Sequence, residues 1–162
     1  MKYLKSKTPG EQDIHRLGAQ IRALPPQLES LTAYWLQKCA GREMPLRAEL
    51  PVDELRPWLG HLALLELAGE RDSRVRLCGS DLIRRFGREA TGARVGELAV
   101  DISRQLTAII KATAKAMAPV VSLSPVQLGH TTTTYCEVAL PLGGSGGRLA
   151  ILLLASYPVR QS

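Results

Sequence analysis

The sequence predicts one α+β domain in which an antiparallel sheet packs against helices. Apolar residues recur with helical spacing near the start of the chain and again within residues 101–117. Residues 61–78 and 120–157 instead hold apolar or β-branched segments of strand length, separated by turn-forming residues. A chain of 162 residues has the size of one domain and is long enough to bury a core.

The first helical pattern begins at Thr8-Pro9-Gly10-Glu11, where a capping threonine, an early proline and a following glutamate favour a helix start. One apolar stripe comes next, at Ile14, Leu17, Ile21 and Leu24. Pro25-Pro26 interrupts this stripe, so we predict a second helix from Pro26 to Ala40 that stops at Gly41. We therefore divide the chain into an N-terminal helix and tail over residues 1–25 and a main domain over residues 26–162.

The middle of the chain predicts short elements. Residues 51–55 resemble one helical turn, because a proline comes first and two acids lie near the positive end of the helix dipole. Residues 61–67 and 74–78 read as two strands that pair as a hairpin across the turn at 69–73. A short helix then opens at Gly79-Ser80-Asp81 and stops at Gly87.

The clearest helix of the sequence spans residues 101–117. Asp101 is in a position to cap its first turn. Its predicted buried face consists of Ile102, Leu106, Ile109, Ile110, Thr113 and Met117. Pro119 ends this helix.

Three strands complete the predicted order, over residues 120–128, 131–142 and 148–157. The glycine-rich run at 143–147 lies between the last two strands. A phosphate-binding loop would lead into a helix, whereas a strand follows here, so we interpret this run as a hairpin tip.

Composition excludes several classes of function. The net charge is +6, but the basic residues are scattered and not interleaved with aromatic ones, which disfavours nucleic-acid binding. Three cysteines, far apart and odd in number, predict neither a disulfide framework nor a metal site. No apolar run approaches membrane-spanning length, and no secretion signal is present, so we expect a cytoplasmic protein.

The sequence contains no recognisable catalytic motif. Ser80 and Ser145 lack the sequence context of an activated nucleophile. The histidines His15, His61 and His130 are too dispersed to predict a metal site. We therefore predict that the protein is not an enzyme.

Several motifs occur in a characteristic order. The chain has a Tyr34-Trp35-Leu36 helix, a Met44-Pro45-Leu46-Arg47 stretch and an arginine-bearing strand, Val75–Cys78, that leads into Gly79-Ser80. The loop Phe86-Gly87-Arg88-Glu89-Ala90-Thr91-Gly92 follows. From about residue 28 to 98 this pattern resembles a PAS-like family found mostly in alphaproteobacteria, which was long carried as a domain of unknown function.

The resemblance implies a PAS-like five-stranded antiparallel sheet with helices on one face, preceded here by N-terminal helices. PAS domains often hold a small molecule between the sheet and the helices, and often pair through a helix that precedes the sheet. The chain lacks the Asn-Cys-Arg-Phe-Leu-Gln motif of flavin photosensors, and residues 101–117 contain no histidine for a haem iron. Flavin and haem are therefore disfavoured, and no cofactor is predicted.

Our leading functional hypothesis is a non-catalytic sensory or protein-interaction module in bacterial signalling. The stripe Ile14, Leu17, Ile21 and Leu24 would pair with a second copy or with a signalling partner, and the competing interpretation is that it packs onto its own domain. The alternative function is a small-ligand sensor with its pocket between the sheet and the helices near residues 82–110. In that case Arg76, Arg84 and Phe86 are the candidate ligand-binding residues, with the arginines meeting an anionic ligand. Nucleic-acid binding and an unrecognised enzyme are the weaker alternatives.

Overall fold

The computed structural model describes residues 24–69 and 71–159. Within them the helices are α1 (Pro26–Cys39), α2 (Val52–Leu55), α3 (Ser80–Phe86) and α4 (Val100–Ala116), with short 3₁₀ turns at Arg47–Glu49, Arg56–His61 and Val95–Glu97. The strands are β1 (Leu62–Glu66), β2 (Arg74–Cys78), β3 (Val120–Leu128), β4 (Thr131–Gly143) and β5 (Leu149–Pro158). The predicted helix that begins at Thr8, with Ile14, Leu17 and Ile21, lies outside the described residues.

The five strands form one sheet in the order β2-β1-β5-β4-β3, and the neighbours run antiparallel. Strands β1 and β2 pair as the predicted hairpin, with a bulge between Leu64 and Leu65. The last strand, β5, lies at the centre between β1 and β4, so it joins the two halves of the sheet. This arrangement confirms the predicted fold class.

The helices α3 and α4 lie on one face of the sheet, as predicted, and the preceding helix α1 covers the other face. Successive side chains of each strand point to opposite faces, so each strand contributes to two separate cores. The first core lies under α1 and the segment that leads to β1, and the second lies under α3 and α4. In β5, Leu153 and Ala155 belong to the first core, whereas Leu152 and Leu154 belong to the second. A strand buried on both faces explains why β5 is continuously apolar rather than alternating.

The first core is closed by α1. This helix starts with proline at its first position, as predicted, and ends at Ala40, which adopts a left-handed conformation before Gly41. Leu28, Leu31 and Trp35 face the sheet and are buried. The Trp35 indole nitrogen also donates a hydrogen bond to the Pro141 carbonyl oxygen of β4, at 2.9 Å. The contact fixes the rotation of α1 on the sheet.

The second core contains the predicted buried face of α4 except for Met117, which is partly buried against the first core. Ile102, Leu106, Ile109, Ile110 and Thr113 are all buried, and the helix ends at Met117 in a left-handed conformation. The prediction that Asp101 caps this helix was wrong. The N-cap is Ala99 and has no side-chain cap, while Asp101 lies in the first turn, where a carboxylate still interacts favourably with the helix dipole.

Candidate functional site

A groove of about 540 Å³ opens between the end of α3, the start of α4 and strand β3. Its apolar wall includes Phe86, Ile102 and Val126, all of which are buried. The groove lies where the sequence predicted a pocket, between the sheet and the helices near residues 82–110.

Charged side chains surround the mouth of the groove. Arg84, Asp101 and Arg104 line it and are exposed to solvent. Arg104 forms a long, exposed ion pair with Asp101 at 4.0 Å. Because water and salt screen exposed charges, these residues influence a ligand weakly.

Of the three predicted ligand-binding residues, the structure brings two together. Arg84 and Phe86 both line the groove, the first at its exposed mouth and the second in its buried wall. Arg76 lies on β2, at the opposite edge of the sheet from β3. Its Nε donates to one oxygen of Glu66 at 2.7 Å and its Nη2 to the other at 3.1 Å. Its guanidinium also holds the pKa of the Glu66 carboxyl below its usual range.

The deepest charges beside the groove form a fully buried ion pair that the sequence analysis missed. Arg85 Nη2 donates to Glu137 Oε1 at 2.8 Å, and neither side chain is exposed. The Arg85 guanidinium carbon also lies 5.5 Å from the centre of the Phe86 ring and 5.8 Å from that of the Tyr135 ring. At these distances the rings can add a cation–π attraction.

One sequence signal would have indicated that Arg85 is buried. Leu82, Arg85 and Phe86 have the spacing of one helical face, and both apolar members face the core. Composition and net charge do not show this, because they do not distinguish the two sides of a short helix.

A row of polar side chains crosses the sheet beneath α3 and α4. Ser122 of β3 is directly opposite Glu137 of β4, which in turn is directly opposite Ser156 of β5. Directly opposite residues share one face of a sheet. Leu152 and Leu154 of β5, which share the face of Ser156, belong to the second core, so the row faces that core.

Five buried polar atoms in this region have no hydrogen-bond partner among the described residues. They are Arg85 Nε, Arg85 Nη1, Ser122 Oγ, Glu137 Oε2 and Ser156 Oγ. A buried polar group without a partner costs about 1–3 kcal/mol, and more when it is charged. Such a concentration of unpaired donors and acceptors is typical of a place that holds ordered water or a ligand.

His61 contacts both α3 and the backbone of Ser156, the β5 member of the polar row. Its ring stacks on Tyr157 with 3.9 Å between the ring centres. Its Nδ1 lies 3.0 Å from the Ser156 carbonyl oxygen, and its Nε2 lies 2.9 Å from an Asp81 carboxylate oxygen. Both partners are hydrogen-bond acceptors. We interpret His61 as a structural link between β5 and the start of α3.

The described residues include neither a cluster of metal-ligating side chains nor a cysteine with a lowered pKa. They contain no cluster of three or more histidine, cysteine, aspartate or glutamate side chains that could hold a metal ion. Burial raises the pKa of all three thiols and takes that of Cys136 to about 12, so each is a weak nucleophile.

Two sequence expectations are only partly covered by the described residues. Leu24, the last residue of the predicted interaction stripe, is partly buried against the first core, while the other three lie outside the described residues. No helix within residues 24–69 and 71–159 is long and apolar enough to cross a membrane.

Comparison with known families assigns the domain. A profile of the PAS domain family matches residues 24–152, which is most of the chain. The chain belongs to the PAS domain family. This result confirms the resemblance found in the sequence motifs, while a distribution in alphaproteobacteria stays a prediction. The comparison with curated proteins found no match.

Solved structures align with about two thirds of this chain at low sequence identity. The PAS domain from Bordetella pertussis BvgS aligns with a TM-score of 0.50 and 16% identity, over 68% of this chain and 87% of that one. A Rhodobacter sphaeroides LOV protein aligns with a TM-score of 0.46 and 15% identity, over 68% of each chain. A sensory box sensor histidine kinase from Vibrio cholerae aligns with a TM-score of 0.40 and 17% identity, over 70% of this chain and 94% of that one.

Proposed function

We propose that this PAS domain is a non-catalytic sensory module that binds a small molecule in the groove between α3, α4 and β3. The observation that carries the proposal is that Arg85, whose Nε and Nη1 are buried without a hydrogen-bond partner among the described residues, lines a groove of about 540 Å³. Ligand pockets commonly combine an apolar wall with a few convergent polar groups. Phe86, Ile102 and Val126 supply the wall, and Arg85 supplies the polar end.

The chemistry of the groove favours binding over catalysis. Its buried charges, Arg85 and Glu137, neutralise each other and are shielded from water. A general acid or base must instead exchange protons with a reacting group within hydrogen-bond reach. Ligand binding would be read out through α3 and α4, because both helices contribute groove residues.

Fragment mapping by nuclear magnetic resonance tests this proposal. Small aromatic amides and acids are titrated into the ¹⁵N-labelled full chain, and we expect shifts concentrated at residues 84–87, 102–105 and 125–127. Replacing the exposed groove residue Ala99 with tryptophan should abolish them, because the indole fills the groove mouth. Ala108→Trp is the matched control, since Ala108 is also exposed but lies outside this groove. Shifts elsewhere, or equal effects of both variants, would contradict the proposal.

Partner binding is the second function we propose, and one observation favours it. Leu36 on α1 is 52% exposed, although most large apolar side chains of the described residues are buried. Leu36 lies on the helix that directly follows the predicted stripe, so an interface along the N-terminal part of the chain would extend to it. Light scattering of the native chain and of the Leu17→Asp and Ile21→Asp variants tests the idea. An unchanged oligomeric mass in both variants would exclude the stripe as a self-association surface.

A further inference from the structure

The neutral side-chain amide of Gln105 lines the groove and contacts Arg85 of the buried ion pair. The Gln105 side chain lines the groove and is partly exposed. Its Oε1 accepts a hydrogen bond from Arg85 Nη2 at 3.0 Å, and its Nε2 donates to the Pro125 carbonyl oxygen at 3.4 Å. Gln105 therefore presents an acceptor and a donor side by side, and it is the movable group between the groove and Arg85.

The charge balance at this place selects against ionic ligands. Arg85 and Glu137 carry opposite charges and are both fully buried, so the pair is neutral as it stands. An anionic head group beside Arg85 would add a negative charge without a buried counter-ion, and a cationic one would add a positive charge. The arginines and the aspartate at the groove mouth are exposed, so solvent screens them from a charge held at Arg85.

The groups at the Arg85 end of the groove favour a head group with mixed hydrogen-bonding capacity. Arg85 lines the groove and has two unpartnered donors, Nε and Nη1. Pro125 also lines the groove, and its carbonyl oxygen, which accepts from Gln105 Nε2, is an acceptor there. A carboxylate would satisfy only the donors, and an ammonium or amidinium group would satisfy only the acceptor. A carboxamide, urea or cyclic imide satisfies both kinds.

We propose that the groove selects small molecules with a neutral amide- or imide-type head group that takes the place of the Gln105 amide at Arg85. The apolar body of such a ligand lies against Phe86, Ile102 and Val126. This inference rests on the proposed function and specifies the ligand class of the same groove. It replaces the anionic ligand that the sequence-based alternative assigned to Arg76 and Arg84, because Arg76 is paired with Glu66 at the opposite edge of the sheet and Arg84 is exposed.

Three probes with the same ring and different charges test the inference. Benzamide is neutral, benzoate is an anion and benzamidine is a cation at neutral pH. Each is titrated into the ¹⁵N-labelled full chain, and the Arg85 Nε–H signal and the backbone amides of residues 102–105 are followed. We expect benzamide to bind at least about tenfold more tightly than either charged probe, because a site with paired polar groups rejects a mismatched head group.

Two variants separate charge selection from shape. Glu137→Gln keeps the side-chain shape but removes the negative charge, so the preference should change from benzamide to benzoate. Gln105→Ala removes the competing amide from a partly exposed position, so benzamide should bind several-fold more tightly. Arg76→Gln, at the opposite edge of the sheet, is the control and should change neither affinity.

The outcomes distinguish a wrong ligand class from a groove that binds no ligand. Tightest binding of benzoate to the native chain, or equal affinity for all three probes at the groove residues, overturns the inference while the proposed function stands. A Gln105→Ala variant that folds and binds benzamide no more tightly also overturns it. Failure of every probe to shift any groove residue overturns both the inference and the proposed function.

Discussion

At the scale of single residues, the Arg85–Glu137 pair places two charges in the second core, where neither side chain is exposed to water. Moving two charges out of water costs several kcal/mol per ion, and their mutual attraction offsets this cost only when the geometry is good. Here one nitrogen and one oxygen meet at 2.8 Å, while the other carboxylate oxygen and two guanidinium nitrogens have no partner among the described residues. The pair is therefore better explained by specificity or binding than by stability.

Removing one member of the pair should cost more than removing both. We expect Arg85→Met to lower the free energy of unfolding by about 3–5 kcal/mol, because it leaves the Glu137 charge buried and uncompensated. The double variant Arg85→Met/Glu137→Leu should recover most of this loss. Urea unfolding at neutral pH measures the free energy of unfolding of both variants. Arg76→Gln, which breaks an exposed pair, is the control and should lower the free energy of unfolding by no more than about 1 kcal/mol. A double variant less stable than Arg85→Met alone would contradict the interpretation.

The Cys136 thiol should be the least reactive of the three cysteines in the folded protein. Burial, with a smaller contribution from Glu137, raises its pKa from 9.0 to about 12. Because the pKa is raised on folding, the contribution to stability is complete below pH 9.0 and is lost as the pH rises towards 12. Iodoacetamide labelling at pH 9.0, followed by peptide mass spectrometry, should modify the partly exposed Cys78 first. Equal labelling rates in the folded chain would disprove the burial effect.

At the scale of elements, the junction between β2 and α3 requires glycine at position 79. The Gly79 amide donates to the Leu62 carbonyl oxygen at 2.8 Å. A side chain at this position would collide with the backbone oxygens of Leu59 and Gly60 in the 3₁₀ turn. The start of α3 can therefore lie close to β1 only when residue 79 has no Cβ.

Gly79→Ala should destabilise the fold by about 1–3 kcal/mol or more, because backbone atoms must move to relieve the collision. Gly146→Ala is the matched control: its added Cβ would meet nothing within 4 Å, so little change is expected. Thermal unfolding of both variants measures the difference. If the two variants melt at the same temperature, the close approach of α3 to the 3₁₀ turn is not required.

The sequence predicted the bounds of the helices and strands better than how these elements pack against one another. The helix boundaries at Pro26 and Gly87 followed from proline and glycine, whose backbone preferences are local. The packing of α1 on the far face of the sheet was not predictable, because an apolar stripe specifies a buried side but not what covers it. The polar row through Glu137 depends on strand register, which the sequence of one strand does not determine.

At the scale of the whole molecule, the central strands tie the two cores together. Leu153 of β5 belongs to the first core, while its neighbours Leu152 and Leu154 belong to the second. In β4 the same alternation places Val138 in the first core and Ala139 in the second. Neither core can lose its packing without displacing strands that the other one needs, so the domain should unfold as one unit.

A substitution in one core should therefore be detected by a probe in the other. Both tryptophans of the chain, Trp35 and Trp58, lie in the first core, whereas Leu106 of α4 is fully buried in the second. Leu106→Ala should lower the free energy of unfolding by about 2–5 kcal/mol. Tryptophan fluorescence and far-ultraviolet circular dichroism should then report the same shift of the urea midpoint. If fluorescence kept the midpoint of the native chain while the helical signal shifted, the two cores would unfold independently, and a ligand beneath α4 could not influence α1 through the sheet.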